Sequence, residues 1–397
     1  MLLLAFLLAP LAGAISIIPS LDIPATDIIT GKYIVTLSPD ISTSEFNKQI
    51  QYVKGLLSTL GVKGGEDQGL EKIWSNSFQG YSGRFGPEIL QILGTNSQIV
   101  AIEPVLTYRL EQTNVVTQLG STWGLSSISH RTTGSTNYTY KQPVSSDLWA
   151  YVLDTGVYTA HSDFEGRAVF GYNAVSNSVD TDTNGHGTHC AGTIASKTYG
   201  VAKKANIMAV KVFSGESSTT DVIIDGLEWA VANITGAGRA AKSVISLSIG
   251  GVKSNAFNTA VNSAYTSGVL VVVAAGNNGF DAGFFSPGSA TYALTVGAID
   301  KNNARPSFSN YGKTVAIFAP GVNITSLGIT GPSSTIAMSG TSMACPHVAG
   351  LALYLIDSEG IKTPADVTTR IKTLGTKGVV TSAGLGSPNL VTYNGVV

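Results

Sequence analysis

Trp149-Ala-Tyr-Val-Leu-Asp-Thr-Gly156 is an apolar run that stops on an acid and a glycine turn. Similar short runs recur at 207–213, 244–247 and 270–274. Unbroken apolar segments of this length read as strands buried on both faces. Between them, 221–235 and 257–267 carry helical spacing. Short buried strands alternating with helices predict an α/β body, a parallel sheet flanked by helices on both faces. Side chains that do chemistry gather at the carboxyl ends of such strands, and Asp154 stands at one of those ends.

Composition agrees. The 397 residues include 45 glycines, 43% are hydrophobic and only 12% are charged, which suits a large, loop-rich α/β chain with ample core. The net charge of −1 and the lack of any basic run exclude nucleic acid and an anionic membrane surface as expected partners. No segment has the roughly 18 unbroken apolar residues of a membrane span. The opening MLLLAFLLAPLAGA ends in small-x-small at Ala12-Gly13-Ala14 and reads as a signal peptide, residues 1–14. A secreted, extracellular protein is the expectation. Three sequons, at Asn137, Asn233 and Asn323, are candidate glycosylation sites in the same compartment. With only Cys190 and Cys345, the chain is no disulfide scaffold. Both read as buried free thiols, with a mutual bond left open.

Residues 15–113 read as a separate small unit, ahead of a larger one at 114–397. Lys32-Tyr-Ile-Val-Thr-Leu37 alternates as a strand, and Phe46, Ile50, Val53, Leu57 and Leu60 mark one face of a helix. A second helix starts at Pro87, a residue suited to the first helical turn. A strand at 99–102 follows, ended by Pro104, and the middle strand is placed at 74–78. Strand-helix-strand twice over predicts a split βαβ, ferredoxin-like α+β fold.

Four segments carry the chemistry. Val152-Leu-Asp-Thr-Gly156 places an acid at a strand end. Asn184-Gly-His-Gly-Thr-His-Cys-Ala-Gly192 places a histidine in a glycine turn that opens a helix. Ala274-Ala-Gly-Asn277 puts an amide at another strand end, and Ser339-Gly-Thr-Ser-Met-Ala-Cys-Pro-His347 puts a serine at the start of an apolar helix. Acyl transfer needs a hydroxyl nucleophile, a base and a carboxylate to orient the base, with donors for the oxyanion. Each residue alone has a plainer reading, as a turn former, a loop residue or a helix cap. Together, in the order Asp, His, Ser, they point to a catalytic set. His189 and His347 read as core histidines rather than metal ligands, because no carboxylate sits at zinc spacing.

These segments closely resemble the subtilase superfamily, whose triad runs in that order. His161-Ser-Asp-Phe-Glu-Gly-Arg167, Tyr199-Gly-Val-Ala-Lys-Lys204 and Ser307-Phe-Ser-Asn-Tyr-Gly312 resemble its proteinase K branch, and within it the fungal oryzin-like alkaline proteases. The resemblance implies a catalytic Asp154, His186 and Ser342, with Asn277 in the oxyanion hole. It makes Ser246, Leu247, Ser248, Ile249, Gly250 and Gly251 the edge that binds substrate, and Gly215 and Ser217 part of the opposite edge. Small apolar walls without an acid predict broad cleavage after hydrophobic or aromatic residues.

Residues 15–113 resemble the family's inhibitor propeptides, which implies a self-processed zymogen with a mature start near Asn114. Partners implied are protein and peptide substrates and the chain's own propeptide, on a monomer. A catalytically inactive subtilase serving as a binding protein is the alternative, and an esterase is excluded by the missing Gly-x-Ser-x-Gly elbow. No cofactor is required by the resemblance. Relatives bind calcium through an Asp where this chain has Ala316, in Thr314-Val-Ala-Ile-Phe-Ala-Pro320. Calcium takes six to eight hard oxygens, so the site is expected to hold it weakly, through backbone carbonyls, or not at all. Cys345 also departs, standing where relatives often have Thr.

Overall fold

The computed structural model describes residues 16–17, 28–59, 69–107 and 115–396. The leader at 1–14, Leu60 and the expected maturation point at Asn114 lie outside them. The chain divides into two compact units, Met1–Gln112 and Thr113–Val397.

In the first unit, strand Ile28–Leu37 leads into helix Thr43–Thr59, then strands Gly69–Ser75 and Gln79–Arg84, helix Pro87–Leu93 and strand Ile99–Leu106. Ser42 and Glu45 form a capping box at the long helix: the Ser42 hydroxyl accepts the Glu45 N–H at 3.2 Å and Glu45 Oε2 accepts the Ser42 N–H at 3.1 Å. Phe46, Ile50, Val53 and Leu57 bury that helix's inner face against Val35, Leu37 and Tyr81. The strands form one sheet, with Ile28–Leu37 between Ile99–Leu106 and Gln79–Arg84. This is the ferredoxin-like βαββαβ arrangement read from the sequence.

Two details differ from that reading. The middle strand is Gly69–Ser75 rather than 74–78: Trp74 and Ser75 end it, paired with Gly80 and Gln79 of Gln79–Arg84, and 76–78 form the hairpin turn. The second hairpin strand, Gln79-Gly-Tyr-Ser-Gly-Arg84, has too few apolar residues to show a period. The last strand also runs through Pro104 to Leu106. Its outer neighbour, Ser16–Ile17, pairs only with Ala101 and Ile102. Proline is tolerated on a strand edge that needs no donor there.

The second unit is built on a nine-stranded sheet. Its central order is Leu294–Ile299, Leu270–Ala274, Ser243–Leu247, Trp149–Asp154, Asn206–Lys211, Ala168–Asn173, all parallel. Residues alternate between the two faces as the pleat requires. Ala150 and Val152 join the cluster formed with helices His186–Ala195 and Thr341–Glu359. Tyr151 and Leu153 join the opposite one, against Thr220–Gly236 and Asn255–Thr266. Strand order reverses direction at Trp149–Asp154, flanked by Asn206–Lys211 on one side and Ser243–Leu247 on the other. A crevice at such a switch point, outside the carboxyl ends, is where doubly wound sheets bind ligands.

Candidate active site

Asp154 ends its strand fully buried. His186 opens the facing helix from Gly185, and its Nδ1 lies 2.8 Å from Asp154 Oδ1. The Thr155 N–H donates to the same oxygen at 2.7 Å. The close approach depends on Gly187: a Cβ there would collide with the Gly156 carbonyl and press on Asp154. Burial pushes the His186 imidazole down, but the Asp154 carboxylate outweighs it and holds the ring well above its ordinary 6.5.

Ser342 stands at the start of the Thr341–Glu359 helix. The preceding Gly340, at φ 156 and ψ 164, occupies backbone space that L side chains rarely adopt. First-turn N–H groups lack intrahelical acceptors, so the Ser342 N–H is offered to the crevice. Pro346 inside the helix has no N–H for the Ser342 carbonyl four residues back. That carbonyl instead accepts the Ser248 hydroxyl at 2.9 Å and the Cys190 thiol at 3.4 Å. The Ser342 hydroxyl donates to the Ser248 carbonyl at 2.9 Å.

Asn277 follows the Leu270–Ala274 strand. Its Oδ1 accepts both the Thr341 N–H, at 2.8 Å, and the Thr341 hydroxyl, at 2.9 Å. The amide is thereby oriented, leaving Nδ2 as the free donor beside Gly340 and Ser342. Ser342, Asn277, Ile249, Gly250 and Phe285 line a cavity of about 200 Å³ that contains no charged side chain. A neighbouring cleft of about 340 Å³ is lined by Asp154, His186, Phe213, Gly215, Glu216 and Ser248.

Only part of the expected substrate edge lines these cavities. Ser246 and Leu247 are buried, and both sit inside the sheet, Ser246 opposite Val152 on one side and Val272 on the other. Their backbone groups belong to the sheet ladders, so only Ser248, Ile249 and Gly250 face the cavities. Gly251 pairs with Ser286 in a two-stranded ribbon. Ser217 is exposed on the loop that carries Gly215. Of the sequons, Asn323 is exposed and Asn137 half-buried. Asn233 sits inside a helix with its Oδ1 accepting from Tyr151, at 2.6 Å, and Arg239, at 2.7 Å.

Asp182 was not legible as a site residue. It is buried and accepts from the Thr155 hydroxyl at 2.8 Å, from the Asn184 and Gly185 N–H groups at 2.9 Å, and from the Thr188 N–H and hydroxyl at 2.9 and 2.6 Å. Thr155 in turn accepts the Gly187 N–H at 3.0 Å. This one carboxylate ties the turn that carries His186 to the strand end that carries Asp154. Lys211, also buried, braces it from below through the Thr155 and Thr181 carbonyls.

Cys190 and Cys345 are both free and buried. Burial raises both thiols, Cys345 to about 12, which keeps them protonated. His189 and His347 are core residues whose rings bond the Ile324 and Met343 carbonyls at 2.8 and 2.9 Å. Among the described residues, one group of three metal-capable side chains converges, Asp154, His186 and Cys190. The first two are already bonded to each other, and the mixed set lacks the hard oxygens of a calcium site. Where relatives would supply a calcium carboxylate, Ala316 packs against the hydrophobic core and its N–H is bound by Thr295. Ala316 therefore brings no carboxylate to that position.

A histidine bonded to a buried carboxylate, with the Cys190 thiol between its ring, at 3.9 Å, and the carbonyl of a serine at a helix start, at 3.4 Å, in the chain order Asp, His, Ser, is the pattern of a serine endopeptidase of the subtilisin class. Residues 151–387 match the Subtilase family and residues 32–111 match Peptidase inhibitor I9. The chain belongs to the subtilase family. It is 47% identical to Alkaline protease 1 of Aspergillus clavatus over 94% of this chain and 93% of that protein. It is 46% identical to subtilisin-like proteinase Mp1 of Magnaporthiopsis poae, over 96% of each. A cold-adapted subtilisin-like serine proteinase of known crystal structure superposes with a TM-score of 0.64 at 38% identity, covering 69% of this chain and 98% of that one. The protein is therefore a serine endopeptidase zymogen, and subtilases need no cofactor for catalysis.

Proposed function

We propose that the chain is secreted, removes its own 15–113 inhibitor segment, and as residues 114–397 cleaves proteins broadly after hydrophobic or aromatic residues. Asp154, His186 and Ser342 are its triad, and Asn277 supplies the oxyanion donor. The observation that carries this reading is the 2.8 Å contact between His186 Nδ1 and Asp154 Oδ1, made beside a serine whose helix start faces the amide of Asn277. The leader and the sequons support secretion, and the inhibitor match supports the zymogen.

Asp154 holds the His186 Nδ1 proton, which leaves Nε2 as the acceptor. The Ser342 hydroxyl turns from the Ser248 carbonyl toward Nε2 and gives up its proton as Oγ bonds to the scissile carbonyl carbon. The carbonyl oxygen takes the electron pair and is met by Asn277 Nδ2 and the Ser342 N–H, a kind of donor worth about 10²–10³ in turnover. His186 then passes its proton to the departing amine as the C–N bond breaks, leaving an acyl-Ser342 ester. A water, deprotonated by His186, adds to the ester carbon. Collapse releases the acid, and Ser342 recovers its proton.

Strand addition along Ser248–Gly250 would hold an extended peptide by its backbone and so accept many sequences. The uncharged cavity with Phe285 as a wall favours an apolar side chain before the cut. Production of wild-type and Ser342→Ala chains side by side tests the reading. Wild type is expected to shorten near Asn114 and to cut peptide libraries after Phe, Tyr or Leu, while the variant stays full length. Equal shortening of the variant would assign maturation to another protease, and cleavage only after Arg or Lys would overturn the specificity.

A further inference from the structure

We propose that Phe280 and Phe284 form an exosite that binds apolar surface on protein substrates, beyond the residue filling the pocket. The two rings pack on each other, centroids 5.6 Å apart and tilted at 53°, yet remain 53% and 62% exposed. Water-facing phenylalanine is unfavourable unless something covers it. Phe46, Phe85, Phe164, Phe257 and Phe318, by contrast, are all buried.

Placement identifies the occupant. The segment that carries the pair leaves the substrate cavity at Asn277 and Asn278 and returns to it at Phe285. The rings therefore stand on a rim continuous with the pocket that a substrate must enter. Val252, 85% exposed, lies on the adjoining strand opposite Phe285, adding apolar surface to the same ribbon. The rim's one acid, Asp281, spends its Oδ1 on the Gly283 N–H at 2.8 Å.

The rim is also held in place. The Phe280 N–H donates to Asn310 Oδ1 at 3.1 Å and its carbonyl accepts the Tyr311 N–H at 3.0 Å. The Phe284 carbonyl accepts from Lys253 at 3.2 Å, and buried Ala282 donates to the Tyr311 carbonyl at 2.7 Å. Aromatic rings on a fixed backbone lose little entropy when covered, which is what makes them binding anchors. A short peptide spends its length in the pocket and along the backbone edge. A protein brings additional surface, so the rim should distinguish the two.

This inference rests on the peptidase reading above. The test compares wild type with the double variant Phe280→Ala/Phe284→Gln, which adds no glycosylation sequon, on a short chromogenic peptide and on unfolded casein. The expected result is unchanged kcat/KM on the peptide and a loss of about 5- to 20-fold on casein, carried mainly by KM, in line with the loss of one or two anchors. Equal retention on both substrates overturns the exosite, and equal loss on both shows a pocket wall instead. Self-association of wild type that the variant abolishes, seen by sedimentation, would assign the rings to a second copy and also overturn it. Absence of peptide cleavage in wild type would instead sink the peptidase reading.

Discussion

Ser248 and Ser342 are joined twice: each hydroxyl donates to the other's backbone carbonyl, both at 2.9 Å. One of these bonds exists because Pro346 leaves the Ser342 carbonyl without its helical partner. Ser248 is thus a helix cap placed inside the helix, and it also parks the hydroxyl of the serine proposed as nucleophile. Ser248→Ala should leave the Ser342 carbonyl to the Cys190 thiol alone, a weak donor. A loss of about 1–2 kcal/mol in stability is expected, measured by calorimetry on enzyme blocked at the active site to prevent self-digestion.

The pH dependence of turnover follows from His186, the proposed general base. A general base must be neutral, and the Asp154 carboxylate holds this imidazole protonated to a pH above its ordinary 6.5. The acidic limb of kcat/KM should therefore rise with pH through a midpoint above 6.5. Asp154→Asn removes the carboxylate and reverses the tautomer preference, with an expected loss of about 10⁴ in kcat. Stopped-flow profiles on a small ester or peptide check both. A midpoint below 6.5 in wild type would contradict the electrostatics.

Stability should rise from acid pH toward neutrality. Burial lowers His189 and His347 to about 4 and Lys203 to about 7. In each case the unfolded chain binds the proton more tightly, so stability is complete above the unfolded value and declines as pH falls toward the folded one. The histidines act between 6.5 and about 4, and Lys203 between 10.5 and about 7. Each histidine is worth on the order of 3 kcal/mol at most. His186, held above its ordinary value, works the other way above pH 6.5 and opposes Lys203, so melting temperatures of blocked enzyme should climb between pH 4 and 6.5, the range the two histidines govern. A maximum near pH 5 would refute this.

Asp182 is the residue whose removal should harm the triad without touching it. Asp182→Ala strands Thr155, Gly185 and Thr188 donors in a buried network. The expected stability loss is about 3–5 kcal/mol. Asp182→Asn keeps the size and an acceptor, and should fold. Loosening the His186 turn should still lower its kcat by about 10² with KM little changed. An Asn variant with wild-type kcat would show that the tie is purely structural.

The sequence made the second unit legible because its strands are buried on both faces, so apolar runs such as Leu270–Ala274 need no periodicity to stand out. The residues proposed as the triad stand out because the segments that carry them match a family. Asp182 was not, because an Asp before Thr-Asn-Gly reads as an ordinary turn former until its five donors are seen. Ser246 and Leu247 lie in the sheet ladders rather than on the cavities, and a sequence does not tell where a ladder ends and a free edge begins. The hairpin around residues 74–78 was misplaced because its second strand is held by neighbours rather than by its own pattern.

The central claim is that Ser342 is the nucleophile, and covalent labelling tests it most directly. Wild-type protein and a Ser342→Ala variant are treated with a fluorophosphonate, and the labelled band is mapped by mass spectrometry. Label on the Ser342 peptide of processed wild type, and none on the variant, is the predicted result. Processed wild-type protein that takes no label, or carries it on another residue, would contradict the account.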